Sequence, residues 1–283
     1  MAVKQNVKGN KGTAWVYFIL RFLVIVVMVL QAWHRNYHNV FVCLLTLVMF
    51  LIPVFVDKKL NIKLPNLLEV VILLFIFAAE ILGEINSFYT RIPHWDTMLH
   101  TVNGFLMGAI GFAMIDILNQ SPKIHISMSP AFVAFVSFCF SMTVGVLWEF
   151  FEYSMDIFFL TDMQKDRIVS DISSVMLNPS GLNEAVIIND ISRTTISGAV
   201  GGELGEYVIE GGYLDVGIID TMKDLIVNCI GTIIFSLIGA VYLTKRDRLR
   251  VAQQFIPILK TAEEIEEERQ ENIKKDTGVG KKI

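Results

Sequence analysis

The chain has 283 residues, 53% of them hydrophobic, and its 24 Lys and Arg against 28 Asp and Glu leave a net charge of −4. That composition is too apolar for an ordinary soluble domain, and the apolar residues fall in blocks of roughly 20, the length that crosses a hydrocarbon core. With no basic patch interleaved with aromatics, a nucleic-acid partner is excluded; the expected partner is membrane lipid.

The expected fold is all-α, a polytopic membrane bundle of about six transmembrane helices. Residues 1–14 form a short N-terminus with Lys4, Lys8 and Lys11. The first span, Trp15 to Trp33, is longer than the roughly 7–15 residues of a signal-peptide core, and no A-x-A site follows it. It is read as an uncleaved helix, and Arg21 within it requires a snorkelling path to the lysines or a buried acid. The second span runs from Val40 to Val56 and is closed by Asp57-Lys58-Lys59. The third, Leu67 to Ile85, carries Glu69, Glu80 and Glu84. The fourth is Trp95 to Leu118 and the fifth is Ala131 to Tyr153, so residues 15–153 hold five helices.

Residues 154–217 form a long loop with apolar residues at mixed spacing and a glycine-rich run from Gly198 to Gly205. Amphipathic or re-entrant helices are expected there. The sixth span follows at 218–243. Residues 244–283 are a charged tail, a solvated helix that gives way to a disordered end. Lys58, Lys59, Lys63, Lys123, Lys245, Arg246, Arg248, Arg250 and the N-terminal lysines all fall on one side of six spans. Both termini are therefore expected in the cytoplasm and the long loop outside. Cys43, Cys139 and Cys229 each lie in an apolar block without metal-type spacing and are read as packing residues rather than disulfide partners.

Chemistry is concentrated in ionisable groups within the spans, where each charge near the bilayer centre costs about 2.5–3.5 kcal/mol. Asp96, His100 and Gly104 are spaced i, i+4, i+8 and share a helix face. Glu149 and Glu152 are i, i+3. Asp220, Asp224 and Asn228 form another i, i+4, i+8 stripe. In the expected topology the third and fifth spans end, and the fourth and sixth begin, at the outer surface, so Glu84, Asp96, His100, Glu149, Glu152, Asp220 and Asp224 gather at one depth. Such acids repel unless neutralised. Carboxylates with one imidazole suit a divalent metal ion of undetermined identity; a shared-proton network is the competing solution. The expected metal ligands are Asp96, His100, Glu149, Glu152, Asp220 and Asp224. His100, Glu149 or Asp224 would act as general base, with Glu84, Asn228 and Asp215 in support. A plainer account has Asp96 and Asp220 favouring the positive ends of their helices.

Three motifs occur in order: W-D-x-x-L-H at 95–100, W-E-F-F-E at 148–152, and G-Y-L-D-x-G-x-x-D-T-M-x-D-L-x-x-N-x-x-G at 212–231. In these the chain resembles the YjdF-like family of bacterial inner-membrane proteins over about residues 65–243. More distantly it is similar to VanZ-like proteins, with Asp96, His100, Glu149, Asp224, Asn228 and Gly231 at matching positions. It departs from many of them in having Glu152 where they carry Gln. The resemblance implies a bacterial cytoplasmic membrane location and a shared polar site; it names no substrate, and VanZ-like proteins are linked to low-level glycopeptide resistance. With no G-x-S-x-G and no cysteine near the acids, a covalent serine or cysteine route is disfavoured. The expected function is a metal-dependent membrane enzyme acting on a lipid or lipid-linked envelope precursor by hydrolysis or phosphoryl transfer. The rivals are a cation- or proton-coupled transporter and a non-catalytic scaffold.

Overall fold

The computed structural model describes residues 11–59, 61–120, 128–244 and 252–276. Lys4, Lys8, Lys123, Lys245, Arg246, Arg248 and Arg250, which entered the charge argument, lie outside them. The chain forms two compact units, Met1–Thr143 with Val227–Ile283, and Val144–Ile226.

The first unit is a helix bundle. Helix α1 (Lys11–Trp33) packs on α2 (Tyr37–Met49), which a turn at Phe50 separates from α3 (Ile52–Lys59). Pro53 explains the break: its ring excludes the carbonyl of Met49 and it has no N–H to continue the ladder. Leu20, Val24, Cys43, Phe50, Leu73, Ile76 and Ile81 form a buried apolar cluster, with Cys43 a free thiol inside it. Arg21 stays over the ring of Tyr17, 5.1 Å from its centroid, which answers part of its charge within α1.

Among the described residues, five helices are long and apolar enough to cross a membrane by length and composition: Gly12–Trp33, Tyr37–Lys59, Trp95–Asn119, Pro130–Phe159 and Ile218–Thr244. The expected third span differs from these. It begins as α4 (Asn66–Phe77) and continues without a break as a π-helix, Ala78–Ile85. Two donors from Asn86, its backbone N–H and its side-chain amide, close that helix on the Ile81 carbonyl. A short helix α5 (Phe88–Arg91) leads to α6 (Trp95–Gln120).

Helices α7 (Pro130–Phe159) and α8 (Ile218–Thr244) each begin in one unit and end in the other. Within the first unit α7 lies antiparallel to α6: the Ser137 hydroxyl donates to the Gly108 carbonyl at 2.7 Å and the Ser141 hydroxyl to Gly104 at 2.9 Å. Helix α8 lies parallel to α6, with Gly104 against the Asn228 backbone, Gly108 against Phe235 and Gly239 against Phe112. Small residues let helices approach this closely where lipid gives no hydrophobic drive between them.

The tail departs from expectation. After α8 the chain packs back into the bundle: Ile256 is buried with Ala109, Phe112, Val133 and Phe235, and the Phe255 ring stands edge-on to Phe105. Strand β8 (Ile258–Leu259) pairs antiparallel with β1 (Ile62–Lys63). Lys260, buried, donates to Asp57 at 3.0 Å, and Lys63 to Glu264 at 3.0 Å. Two apolar residues and two ion pairs thus hold a segment whose charge suggested a solvated one; the charged helix α9 (Ala262–Asp276) begins only beyond it.

In the second unit residues 154–217 hold strands where amphipathic or re-entrant helices were expected. Short strands β2 (Ile168–Val169) and β7 (Tyr213–Leu214) pair, as do β3 (Ile172–Ser174) and β4 (Val186–Ile188). Strands β5 (Arg193–Val200) and β6 (Glu203–Glu210) form an eight-pair hairpin. Its turn is Gly201-Gly202, at φ +62° and +90°, a conformation that glycine adopts without strain. The glycine run thus makes a hairpin, not a re-entrant loop.

Candidate functional site

Each group of polar residues is built from one or two helix ends. In the first unit, α6 opens after His94, whose φ of +61° turns the chain sharply into it. One turn apart on α6, His100 Nε2 lies 3.4 Å from Asp96 Oδ1, with His100 buried and Asp96 about a quarter exposed. Below them on α6, Asn103 donates to Asn228 of α8 at 3.3 Å, and Asn228 reaches the Met142 sulfur at 3.7 Å. Asn228 is 1% exposed, so its amide serves to hold α6, α7 and α8 in register. Glu84, at the end of the π-helix, is exposed.

In the second unit the end of α7 carries Glu149 and Glu152, both buried, and the Trp148 indole donates to Glu152 at 2.9 Å. Asp156, one turn further, caps the chain as it leaves the helix: it accepts from Thr161, Met163 and Gln164 at 2.7–2.9 Å. The start of α8 carries Asp220 and Asp224, at 6% and 2% exposure.

These two acids are not left to repel each other. Lys223 Nζ lies 3.5 Å from Asp220 and 3.4 Å from Asp224. Arg167 adds its guanidinium 3.7 Å from Asp220, which also accepts the Lys165 backbone N–H at 3.1 Å. Sequence reasoning passed over both cations. Neither was among the expected site residues, although the place of Lys223 between the two acids, at i+3 from Asp220 and i−1 from Asp224, was an available signal. Asp116, buried near the other end of α6, was missed too.

Asp215 organises the approach to α8. Its carboxylate accepts backbone N–H groups of Arg167 at 2.7 Å, Ile219 at 2.9 Å and Gly217 at 3.3 Å. Burial pushes its carboxyl up, but these three donors outweigh burial and hold it below the ordinary carboxylate range. The neighbouring Asp166 is pushed the other way, by burial and by Asp162, Asp215 and Asp156.

The structure thus brings Asp96 to His100 and ties Asp220 and Asp224 through Lys223, with Asp215 anchoring the Arg167 backbone. Chemically, it offers an imidazole with a carboxylate partner in one unit, and in the other a set of buried carboxylates balanced by two cations.

Comparison with curated proteins gives no match, and neither does comparison with solved structures. The model of a family described as a predicted membrane protein (DUF2238) matches residues 14–175, more than half of the 283-residue chain and both the 95–100 and 148–152 motifs, so the chain belongs to that family.

Proposed function

We propose that this chain is a membrane enzyme whose buried acids hold a divalent cation at the outer face of a bacterial cytoplasmic membrane. It acts there on a lipid or lipid-linked envelope precursor, by hydrolysis or phosphoryl transfer. In this reading Asn66–Ile85 completes six spans and both termini are cytoplasmic, as the Lys and Arg bias favours. The finer relationship is to YjdF-like and, more distantly, VanZ-like proteins, by the motifs quoted above.

The observation that carries the reading is burial. His100, Glu149, Glu152, Asp220 and Asp224 are all under a tenth exposed, on helices of a membrane protein. Ionisable groups so placed are costly and concentrate at functional sites. The spacing of Asp96 and His100 at i, i+4 and of Glu149 and Glu152 at i, i+3 supports the reading, since each pair shares one face of its helix.

Asp96, His100, Glu149, Glu152 and Asp224 are the ligand set in this reading, and the cation would stabilise negative charge developing on a phosphoryl or acyl oxygen. Asp220, engaged by Arg167 and Lys223, enters the set only in competition with both, and Asp224 only in competition with Lys223. Whichever of His100, Glu149 and Asp224 stays off the cation takes the proton from the attacking water. Asn228 and Asp215 position the helices, and Glu84 borders the site.

Melting of the purified protein in detergent tests this, with chelator and with added Mg²⁺, Mn²⁺ or Zn²⁺. A ligand that binds only the folded state raises its stability by mass action. Wild type should melt higher with one of these ions and lower with chelator, and Asp96→Asn and Glu149→Gln should lose that response. Wild type indifferent to ions and chelator, with both variants as stable as wild type, overturns the metal site. Ion-driven flux in sealed vesicles, abolished by the same variants, would favour the transporter instead.

A further inference from the structure

Arg167 and Lys223 do more than neutralise Asp220. Both nitrogens lie within 3.7 Å of one oxygen, Asp220 Oδ1, which places them close enough for a single phosphate to span. They approach it from different elements, Lys223 from the second turn of α8 and Arg167 from the strand region before β2. Neither is spent on the acid. Arg167 touches Asp220 through one nitrogen at a distance too long for a hydrogen bond, and its side chain is 48% exposed. Lys223 is 26% exposed, although both acids beneath it are buried. A guanidinium and an ammonium held side by side on a buried carboxylate form a pre-organised pair. The carboxylate limits the freedom of two long side chains before any ligand arrives, and part of each cation remains open to solvent. Arg fits phosphate oxygens in a fork and Lys adds a point charge.

We propose that Arg167 and Lys223 are a phosphate-recognition pair that takes the phosphate of an anionic lipid headgroup. The proposal rests on the reading that this end of α8 faces the outer leaflet, where a headgroup phosphate stands at the level of a helix beginning. It deepens that reading by naming the substrate class as a phosphate-bearing lipid. Asp215 positions Arg167 through its backbone N–H but does not touch the ligand in this scheme.

The test is binding to the full-length detergent-solubilised protein, with chelator present throughout so that the metal site plays no part. The probes are dioctanoyl phosphatidic acid, dioctanoylglycerol and inorganic phosphate. Wild type should bind the phosphatidic acid, bind inorganic phosphate at least about tenfold more weakly, and ignore the diacylglycerol. Arg167→Gln and Lys223→Gln should each weaken phosphatidic acid about tenfold, the effect of one charge-assisted contact, while Lys223→Arg retains most of the affinity and Arg167→Lys, which keeps the charge but loses the fork, falls between wild type and Arg167→Gln. If Lys223→Gln fails to fold because two buried acids then face each other, the half-exposed Arg167→Gln decides alone. Unchanged affinity in Arg167→Gln, or equal binding of diacylglycerol, overturns the pair. Inorganic phosphate binding as tightly as the lipid overturns the lipid assignment. Phosphatidic acid binding that survives chelator in a protein whose melting ignores metal would leave this pair standing and the metal site fallen.

Discussion

Ser141 Oγ lies 2.7 Å from Thr232 Oγ1, and the Gly104 carbonyl stands 2.9 Å from the first hydroxyl and 3.3 Å from the second. Three helices meet there through polar atoms, at a depth where water cannot substitute for a missing partner. The junction needs a residue without a side chain on α6. A Cβ on Gly104 would collide with the Asn228 carbonyl, and one on Gly231 with the Thr101 carbonyl.

Gly104→Ala and Gly231→Ala should each lower the melting temperature by several degrees. The obstacle is backbone, which cannot swing aside, and overpacking of this kind costs about 1–3 kcal/mol. Gly198→Ala, where no atom lies within 4 Å of the added carbon, is the control and should melt as wild type.

The tail clamp should open in acid. The Thr261 backbone N–H is the larger cause that holds the Glu264 carboxyl below its ordinary range; burial opposes it and Lys63 assists. A carboxylate depressed in the folded state adds stability above its unfolded-state pKa and loses it as pH falls through the folded value. Amide protection over residues 252–264, measured relative to the intrinsic exchange rate at each pH, should therefore fall as pH drops below the ordinary carboxylate range, and Glu264→Gln should show low protection at neutral pH with little further pH response in this step.

Asp57→Asn should loosen the same clamp by about 1–3 kcal/mol, because it leaves the Lys260 ammonium, 3% exposed, without its carboxylate. Asp57 itself is 38% exposed, which keeps the loss below that of a fully buried pair. Faster proteolysis within the tail, with the bundle core still protected, is the expected readout.

Asp215→Ala should cost about 1–2 kcal/mol, the loss of a carboxylate that caps α8 and anchors the Arg167 backbone. Asp215→Asn keeps an acceptor and should lose less. Since its carboxyl is held low, the wild-type contribution persists above the ordinary carboxylate range and fades only in stronger acid. Melting of both variants against pH checks size and sign together.

Orientation is tested with single cysteines in a background where Cys43, Cys139 and Cys229 are serine. Leu204→Cys, at a position 90% exposed on the hairpin, should react with an impermeant thiol reagent in intact cells. Glu267→Cys, exposed on α9, should react only after lysis. The reverse pattern would invert the proposed topology.

The bundle was legible because a bilayer demands long apolar runs, and the stripe of Asp220, Asp224 and Asn228 stood out because nothing else in an apolar helix repeats every four residues. Other features carried no comparable signal. Strand β5 alternates Thr194, Ile196, Gly198 and Val200 on one face, too weak an apolar rhythm to outweigh the neighbouring glycines. Phe255-Ile256 is a two-residue anchor between charged stretches. Asp156 continues the helical spacing of Glu149 and Glu152, but its bonds are to the chain that follows it. Lys223 and Arg167 show the limit most plainly: nothing in the sequence ties the loop residue Arg167 to Asp220, about fifty positions away, and only coordinates bring the two together.

The clamp between β1 and β8 joins residues about two hundred positions apart, Lys63 to Glu264 and Lys260 to Asp57. During synthesis at about 5–20 residues per second, Asp57 and Lys63 emerge some 10–40 s before their partners exist. For the later part of that interval, once α6 has been made, the sides of Phe105 and Phe112 that Phe255 and Ile256 will cover are still bare. The last element of the bundle is made at the end of translation, so a ribosome that stops short of residue 264 releases a chain with its helices inserted but its bundle unsealed.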